Sequence, residues 1–193
     1  MTRKTLVVDL DRCTGCKSCE VACKQENDVV LGSAWNKVVT VGPSGDYPNI
    51  EMYFLPTLCQ QCEDPECVKV CPTGASFKRK EDGVVLVDRE KCIGCRYCMM
   101  ACPYGVRSFN EEKKVVEKCT LCDHLQAIGE KPACVKNCPS KARFFGDLDD
   151  PDSDVSKAIK EAGNKNVHSL PDLGNKPTVR YIMHSKTAKW RES

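Results

Sequence analysis

Apolar residues in this chain fall in short runs separated by charged and turn-forming residues, not in long helical stripes. Leu6 to Val8 and Val84 to Val87 are apolar, mostly β-branched runs with polar flanks, and each reads as a short strand. Val38 to Val41 and Ile50 to Leu55 read the same way. The turn-rich GPSGDYPN between them predicts a hairpin. One amphipathic helix is predicted: Ser153 or Asp154 caps a segment that places Val155, Ile159 and Ala162 on one face, and Gly163 ends it. No window approaches the roughly 18 apolar residues of a membrane span. The chain closes on the basic KPTVRYIMHSKTAKWRES, which carries Tyr181 and Trp190.

The first pair of strands belongs to an internal repeat. Asp9-Leu-Asp-Arg-Cys13 matches Asp88-Arg-Glu-Lys-Cys92 at an offset of 79 residues, and each strand leads into a cysteine-rich loop. Cysteine is where composition changes the picture, with 16 among 193 residues. That density marks a short chain as disulfide-stapled or metal-loaded. Disulfides need an oxidising compartment, usually reached through a signal peptide. The opening MTRKTLVVDLDRC shows neither an apolar core segment nor a twin arginine, since Asp9 interrupts its apolar run. The expectation is therefore a chain with no leader of its own, whose thiols are metal ligands.

The cysteines form four sets of four with none left over: Cys13, Cys16, Cys19, Cys23; Cys59, Cys62, Cys67, Cys71; Cys92, Cys95, Cys98, Cys102; and Cys119, Cys122, Cys134, Cys138. Every set keeps three residues before its last cysteine, and three of the four continue with proline. A C-x2-C-x2-C loop lets three thiolates reach three irons of one cubane. The fourth cysteine, starting a helix that leads away, ligates a second cluster. Each motif then gives three ligands to one 4Fe-4S cluster and one to a neighbour, and sixteen ligands complete four clusters. Structural zinc is the plain alternative. Zinc ribbons, however, need only two cysteines per knuckle and have no use for the third or for the Cys-Pro.

Loading changes the electrostatics. The formal charge is +2 with neutral thiols. Sixteen thiolates, offset by four oxidised cores of roughly +2 each, bring the loaded chain to about −6. Lys17, Arg96, Lys118 and Lys136, in or beside the motifs, would partly offset that charge. Small residues follow two motifs, in Cys71-Pro-Thr-Gly-Ala75 and Cys102-Pro-Tyr-Gly105, and let backbone N–H groups approach sulfur. His124, His168 and His184 are scattered, and His124, near Cys122, reads first as a surface or core residue. No glycine-rich phosphate loop follows a strand, and the basic residues are interleaved with acids, so neither a nucleotide nor a nucleic acid is indicated. Nothing marks catalysis by the chain itself.

Several stretches together resemble the four-cluster iron–sulfur subunit of the dimethyl-sulfoxide-reductase-type molybdopterin oxidoreductases, which include polysulfide, thiosulfate and arsenate reductases. They are CTGCKSCEVACKQEN near the start, CPTGAS at 71–76, CRYCMMACPYGVR at 95–107, KCTLCDH followed by PACVKNCP, and FFGDLDDPDS at 144–153. The resemblance covers roughly residues 5–155. It implies that the first motif pairs with the fourth and the second with the third. One cluster would use Cys13, Cys16, Cys19 and Cys138; the second Cys23, Cys119, Cys122 and Cys134; the third Cys59, Cys62, Cys67 and Cys102; the fourth Cys71, Cys92, Cys95 and Cys98. Some relatives replace one cysteine and hold a three-iron cluster. Here every position is cysteine, which implies four cubanes. Lys24 stands where the other motifs have proline.

The implied fold is α+β: two pseudo-symmetric bacterial ferredoxin-like modules, each holding two clusters among short strands and helices. Residues 1–27 plus 111–146 would form one module, 56–110 the other, 28–55 a hairpin insertion, and 147–193 a tail that binds a partner. The implied function is that of a wire, passing single electrons between a quinol-side or soluble donor and a large molybdopterin subunit holding molybdenum or tungsten. A membrane anchor with a quinol site is a further implied partner. A subunit serving a formate dehydrogenase or hydrogenase, and a free polyferredoxin, are the alternatives. By the same resemblance the complex sits at the membrane on the extracytoplasmic side, exported with its catalytic subunit, with a cytoplasmic home as the alternative.

Overall fold

The computed structural model describes residues 2–184, so Trp190 and the basic end lie outside the described residues. The first half runs β1 (Lys4–Asp9), α1 (Ser18–Glu26), β2 (Asn36–Ser44), β3 (Glu51–Leu58), α2 (Glu66–Lys69), β4 (Ser76–Lys78) and β5 (Val85–Val87). The second half runs α3 (Tyr97–Met100), β6 (Ser108–Asn110), β7 (Val115–Glu117), α4 (Asp123–Ala127), α5 (Ala133–Lys136), β8 (Arg143–Asp147), α6 (Asp154–Ala162), β9 (Val167–His168) and β10 (Arg180–Ile182). The strand pair at 38–55 and the helix at 154 are where the apolar pattern puts them.

β1 is buried on both faces because it lies inside a four-stranded sheet ordered β8-β1-β10-β9. β8 pairs with it antiparallel, Val8 opposite Arg143, and β10 pairs parallel, Val8 opposite Tyr181. Side chains alternate across a strand. Leu6 therefore joins the cysteine-rich core, whereas Val7 packs with Val155, Ala158 and Ala162 of α6. The Ser156 N–H donates to Ser153 Oγ at 3.3 Å, which caps α6, and Gly163 closes it at φ 75°. Ser153→Ala is expected to lower the stability of the loaded protein by about 1 kcal/mol, read as a denaturation midpoint.

The repeat seen in the sequence extends to single backbone torsions. Asp9 Oδ1 accepts from the N–H groups of Asp11 and Arg12, as Asp88 Oδ1 accepts from those of Glu90 and Lys91. Lys17 and Arg96 both take the left-handed conformation, φ 61° and 63°, immediately before α1 and α3. Gly15 at φ 66° answers Gly94 at φ 69°. A Cβ at Gly15 would stand 2.5 Å from the Phe54 ring, and one at Gly94 2.6 Å from the Lys114 carbonyl oxygen.

Short antiparallel pairs link the motifs: β4 with β5, and β6 with β7. The boundary expected at 110/111 falls at the turn of the β6–β7 hairpin. Beyond Asp147, the segment expected to serve a partner is built into this chain's own sheet as far as it is described. α6, β9 and β10 all pack against the β1 layer.

Candidate metal centres

Backbone contacts place the loop after one motif's last cysteine against the strand that feeds another motif. The Asp9 N–H donates to the Ala142 carbonyl, four residues after Cys138, at 2.8 Å. The Asp88 N–H donates to that of Ala75, four residues after Cys71, also at 2.8 Å. The first motif therefore adjoins the fourth, and the third adjoins the second.

The sulfurs gather accordingly. Cys13 has Cys138 and Cys16 as electrostatic neighbours, and Cys23 has Cys134 and Cys122. Cys62 is surrounded by Cys59, Cys67 and Cys102. Cys71, Cys92, Cys95 and Cys98 line one cavity with Thr73, Ser76 and Arg96. Adjacent groups also interact electrostatically, Cys19 with Cys134 and Cys119 with Cys59. Cys16 and Cys95 are exposed, whereas Cys19, Cys23, Cys59, Cys98, Cys119, Cys122 and Cys134 are buried.

Burial pushes the Cys23 and Cys62 thiols up to about 12 and Cys119 well above its ordinary value. Such thiols become thiolates only with compensating positive charge, which an iron core supplies. Hydrogen-bond donors are aimed at several sulfurs. The N–H groups of Ser76, Val116, Leu121 and Ala142 donate to Cys71, Cys92, Cys119 and Cys138 at 3.3–3.5 Å. For Cys71 burial raises the thiol, but the bonds from Ser76 and Thr73 outweigh it and the net shift is downward.

Asn175 Nδ2 donates to Cys62 Sγ at 3.0 Å and to Tyr104 Oη at 2.8 Å. Arg107 Nη2 donates to Cys67 Sγ at 2.8 Å and to Ser76 Oγ at 2.9 Å. Arg143, fixed by Asn36 at 2.8 Å, acts electrostatically on Cys134 and Cys19. The remaining Nη1 nitrogens of Arg107 and Arg143 are buried with no hydrogen-bond partner among the described residues. A donor set of sixteen thiols, with spare cationic N–H groups facing it, fits iron–sulfur clusters, whose sulfides accept such bonds.

The charged residues in and beside the motifs divide. Lys118 is buried beside Cys119. Arg96 lies exposed over the Phe109 ring and pairs with Glu111, and Lys136 pairs with Glu130. Lys17 marks the turn before α1. His124 bonds Glu26 at 2.9 Å and His184 bonds Asp11 at 2.9 Å, both at the surface, while His168 sits in β9. Sequence reasoning missed Asn175, Arg107 and Arg143. For the two arginines a signal existed, since each stands five residues after a Cys-Pro cysteine.

Paired cysteine motifs on short strands and helices define a double two-cluster ferredoxin-like protein with four 4Fe-4S clusters. The 4Fe-4S dicluster domain family matches residues 12–75 and 50–148. A protein of Halobacterium salinarum named for the iron–sulfur chain of a dimethyl sulfoxide reductase is 47% identical over 94% of this chain and 79% of its own. A sulfite dehydrogenase subunit from Allochromatium vinosum is 44% identical over 97% of this chain and 85% of its own. The arsenate respiratory reductase iron–sulfur subunit of a Shewanella species is 38% identical over 93% and 96%. The chain belongs to this family, the 4Fe-4S iron–sulfur subunits of molybdopterin-type oxidoreductase complexes. No helix among the described residues is long and apolar enough to cross a membrane.

Proposed function

We propose that this chain is the non-catalytic electron-transfer subunit of a respiratory-type complex, joining a quinol-side or soluble donor to a molybdopterin catalytic subunit. The observation that carries this reading is the series of cysteine groups that act electrostatically on one another, Cys19 with Cys134, Cys119 with Cys59, and Arg107 with both Cys67 and Cys98. The ligand sets are Cys13, Cys16, Cys19, Cys138; Cys23, Cys119, Cys122, Cys134; Cys59, Cys62, Cys67, Cys102; and Cys71, Cys92, Cys95, Cys98. The Ala142–Asp9 and Ala75–Asp88 contacts support this pairing.

When bound, each cluster supplies a one-electron couple. The chain's residues set its surroundings. Backbone N–H groups, Asn175 and Arg107 donate to sulfur, and apolar walls such as Leu6, Leu58 and Leu121 keep water away. Exposed Cys16 and Cys95 mark the two ends where electrons enter and leave. The buried ligands lie inside the core, so the clusters have to be in place before any export; we place the complex on the extracytoplasmic side, carried folded with its catalytic subunit. Partner contact is assigned to residues 147–193, whose described part also completes this chain's own sheet.

Anaerobic purification of the tagged chain from its own host tests the reading. The expected result is about sixteen irons per chain, a large partner containing molybdenum or tungsten, and a location outside the cytoplasmic membrane. Sixteen irons with no partner would favour a free polyferredoxin. The sulfite dehydrogenase relative motivates a second reading, with electrons flowing outward, and reduction of the clusters by the partner's substrate would identify it.

A further inference from the structure

Three cations lie inside the protein beside cysteine sulfur. Arg107, Lys118 and Arg143 are exposed to only 6%, 2% and 4%. Their hydrogen-bond partners among the described residues are neutral groups or sulfur. Arg107 donates to Cys67 Sγ and Ser76 Oγ, and Arg143 to Asn36 Oδ1. Lys118 Nζ donates to the carbonyls of Val85 and, at 2.8 Å, Cys119. A buried cation is costly unless an anion balances it. The acidic groups that act most strongly on the two arginines are cysteine sulfurs and, for Arg143, Tyr181, and Lys118 acts on Cys67.

The positions of the three differ in a systematic way. Arg143 acts electrostatically on both Cys19 and Cys134, ligands proposed for the first and second clusters. Lys118 is bonded to the backbone of Cys119, a proposed ligand of the second cluster, and acts electrostatically on Cys67 of the third. Arg107 bonds Cys67 of the third and acts electrostatically on Cys59 of the third and Cys98 of the fourth. The two arginines are placed by the same loop used twice, in Cys102-Pro-Tyr-Gly-Val-Arg107 and Cys138-Pro-Ser-Lys-Ala-Arg143. Each also keeps one buried nitrogen with no partner among the described residues.

We propose that one buried cation occupies each of the three junctions in the four-cluster series, Arg143, Lys118 and Arg107 in turn, and raises the reduction potential of the two clusters it separates. This rests on the ligand sets proposed above. A loaded cluster with four thiolates carries a net negative charge, and an added electron increases it. A cation shared by two neighbours stabilises the electron on either one, so it eases passage without setting a direction. In each hop one cluster loses one electron and the next gains it. No bond forms or breaks, and each arginine keeps its proton throughout.

The test is a potentiometric titration of the full, iron-loaded chain, followed by electron paramagnetic resonance, in Arg107→Gln, Lys118→Gln and Arg143→Gln. Each is compared with the charge-keeping Arg107→Lys, Lys118→Arg and Arg143→Lys. In each glutamine variant the reduced-to-oxidised ratio of the two flanking clusters, at a fixed potential, is expected to fall about tenfold, ~59 mV for one electron. That is the size of a unit charge on the order of 10 Å away at an effective dielectric near 20. The other two clusters, and all four in the charge-keeping variants, should stay near wild type. No shift, equal shifts in all four clusters, or equal loss in both kinds of variant would overturn the proposal. The junctions test it independently, so a variant that fails to load iron leaves the other two to decide, and if all three fail the charge-keeping set decides. Wrong ligand sets would show differently: single cysteine-to-serine changes would remove a cluster other than the one assigned, whatever the potentials do.

Discussion

Truncation after Asp147 is expected to abolish cluster loading altogether, not merely to detach the chain from its partner. The lost segment contains α6 and β10, in which Val155 and Tyr181 are fully buried, and Val179 just before β10, which is fully buried as well. Without it, Val7 loses the cover of α6, and Val8 loses the parallel strand beside it. The cut also removes Asn175, which ties Cys62 to Tyr104. Each large apolar side chain returned to water costs about 1.5–3 kcal/mol. Several together exceed much of the roughly 5–15 kcal/mol that holds a small protein folded. Iron per chain, visible absorbance and circular dichroism should all report the loss. A chain ending at His184 should instead keep about sixteen irons, and a drop in partner capture alone would be the signature of its missing end. A fully loaded chain ending at Asp147 would show that the sheet does not depend on β10.

The tail is hard to read from sequence for a physical reason. β10 is three residues long, and its partner β1 lies some 173 positions earlier, as the Val8–Tyr181 register shows. A strand so short has no periodicity to detect, and parallel pairing over that separation leaves no turn signature. Asn175 sits in PDLGNKP, which reads only as a loop, yet it donates to a cysteine sulfur. Lys118 was legible as a charge near a motif but not as a buried one, because burial depends on the packing of β5 and β7 around it. By contrast, the cysteine spacing is local, and so are the Asp9–Cys13 and Asp88–Cys92 repeat, the strand pair at 38–55 and the helix cap at Ser153 or Asp154. These are legible in the sequence, since residues within a few positions determine each, and the Asp9 and Asp88 turns add a detail the structure supplies.

Cys119→Ser is expected to empty the second site and break the electron path, while leaving a folded chain of about twelve irons in place of sixteen. Cys119 is buried, accepts the Leu121 N–H at 3.5 Å and neighbours Cys23, Cys134 and Cys59. It thus stands where the fourth and second motifs meet. Burial already opposes ionisation of the thiol here, and a serine hydroxyl, a far weaker acid, would have to ionise in the same place to bind iron. Replacing an outer-shell partner costs metal sites roughly 10–100-fold, so loss of a ligand at the centre of the series should reduce turnover of the assembled complex by more than that. Cys95→Ser makes the comparison. That ligand is exposed, so water can take its place, and the fourth site should be weakened rather than lost. Iron content and turnover measured on both variants separate the outcomes. If Cys119→Ser loses four irons yet turns over at the wild-type rate, the second site is off the route, and electrons pass directly between the groups built on Cys13 and Cys59.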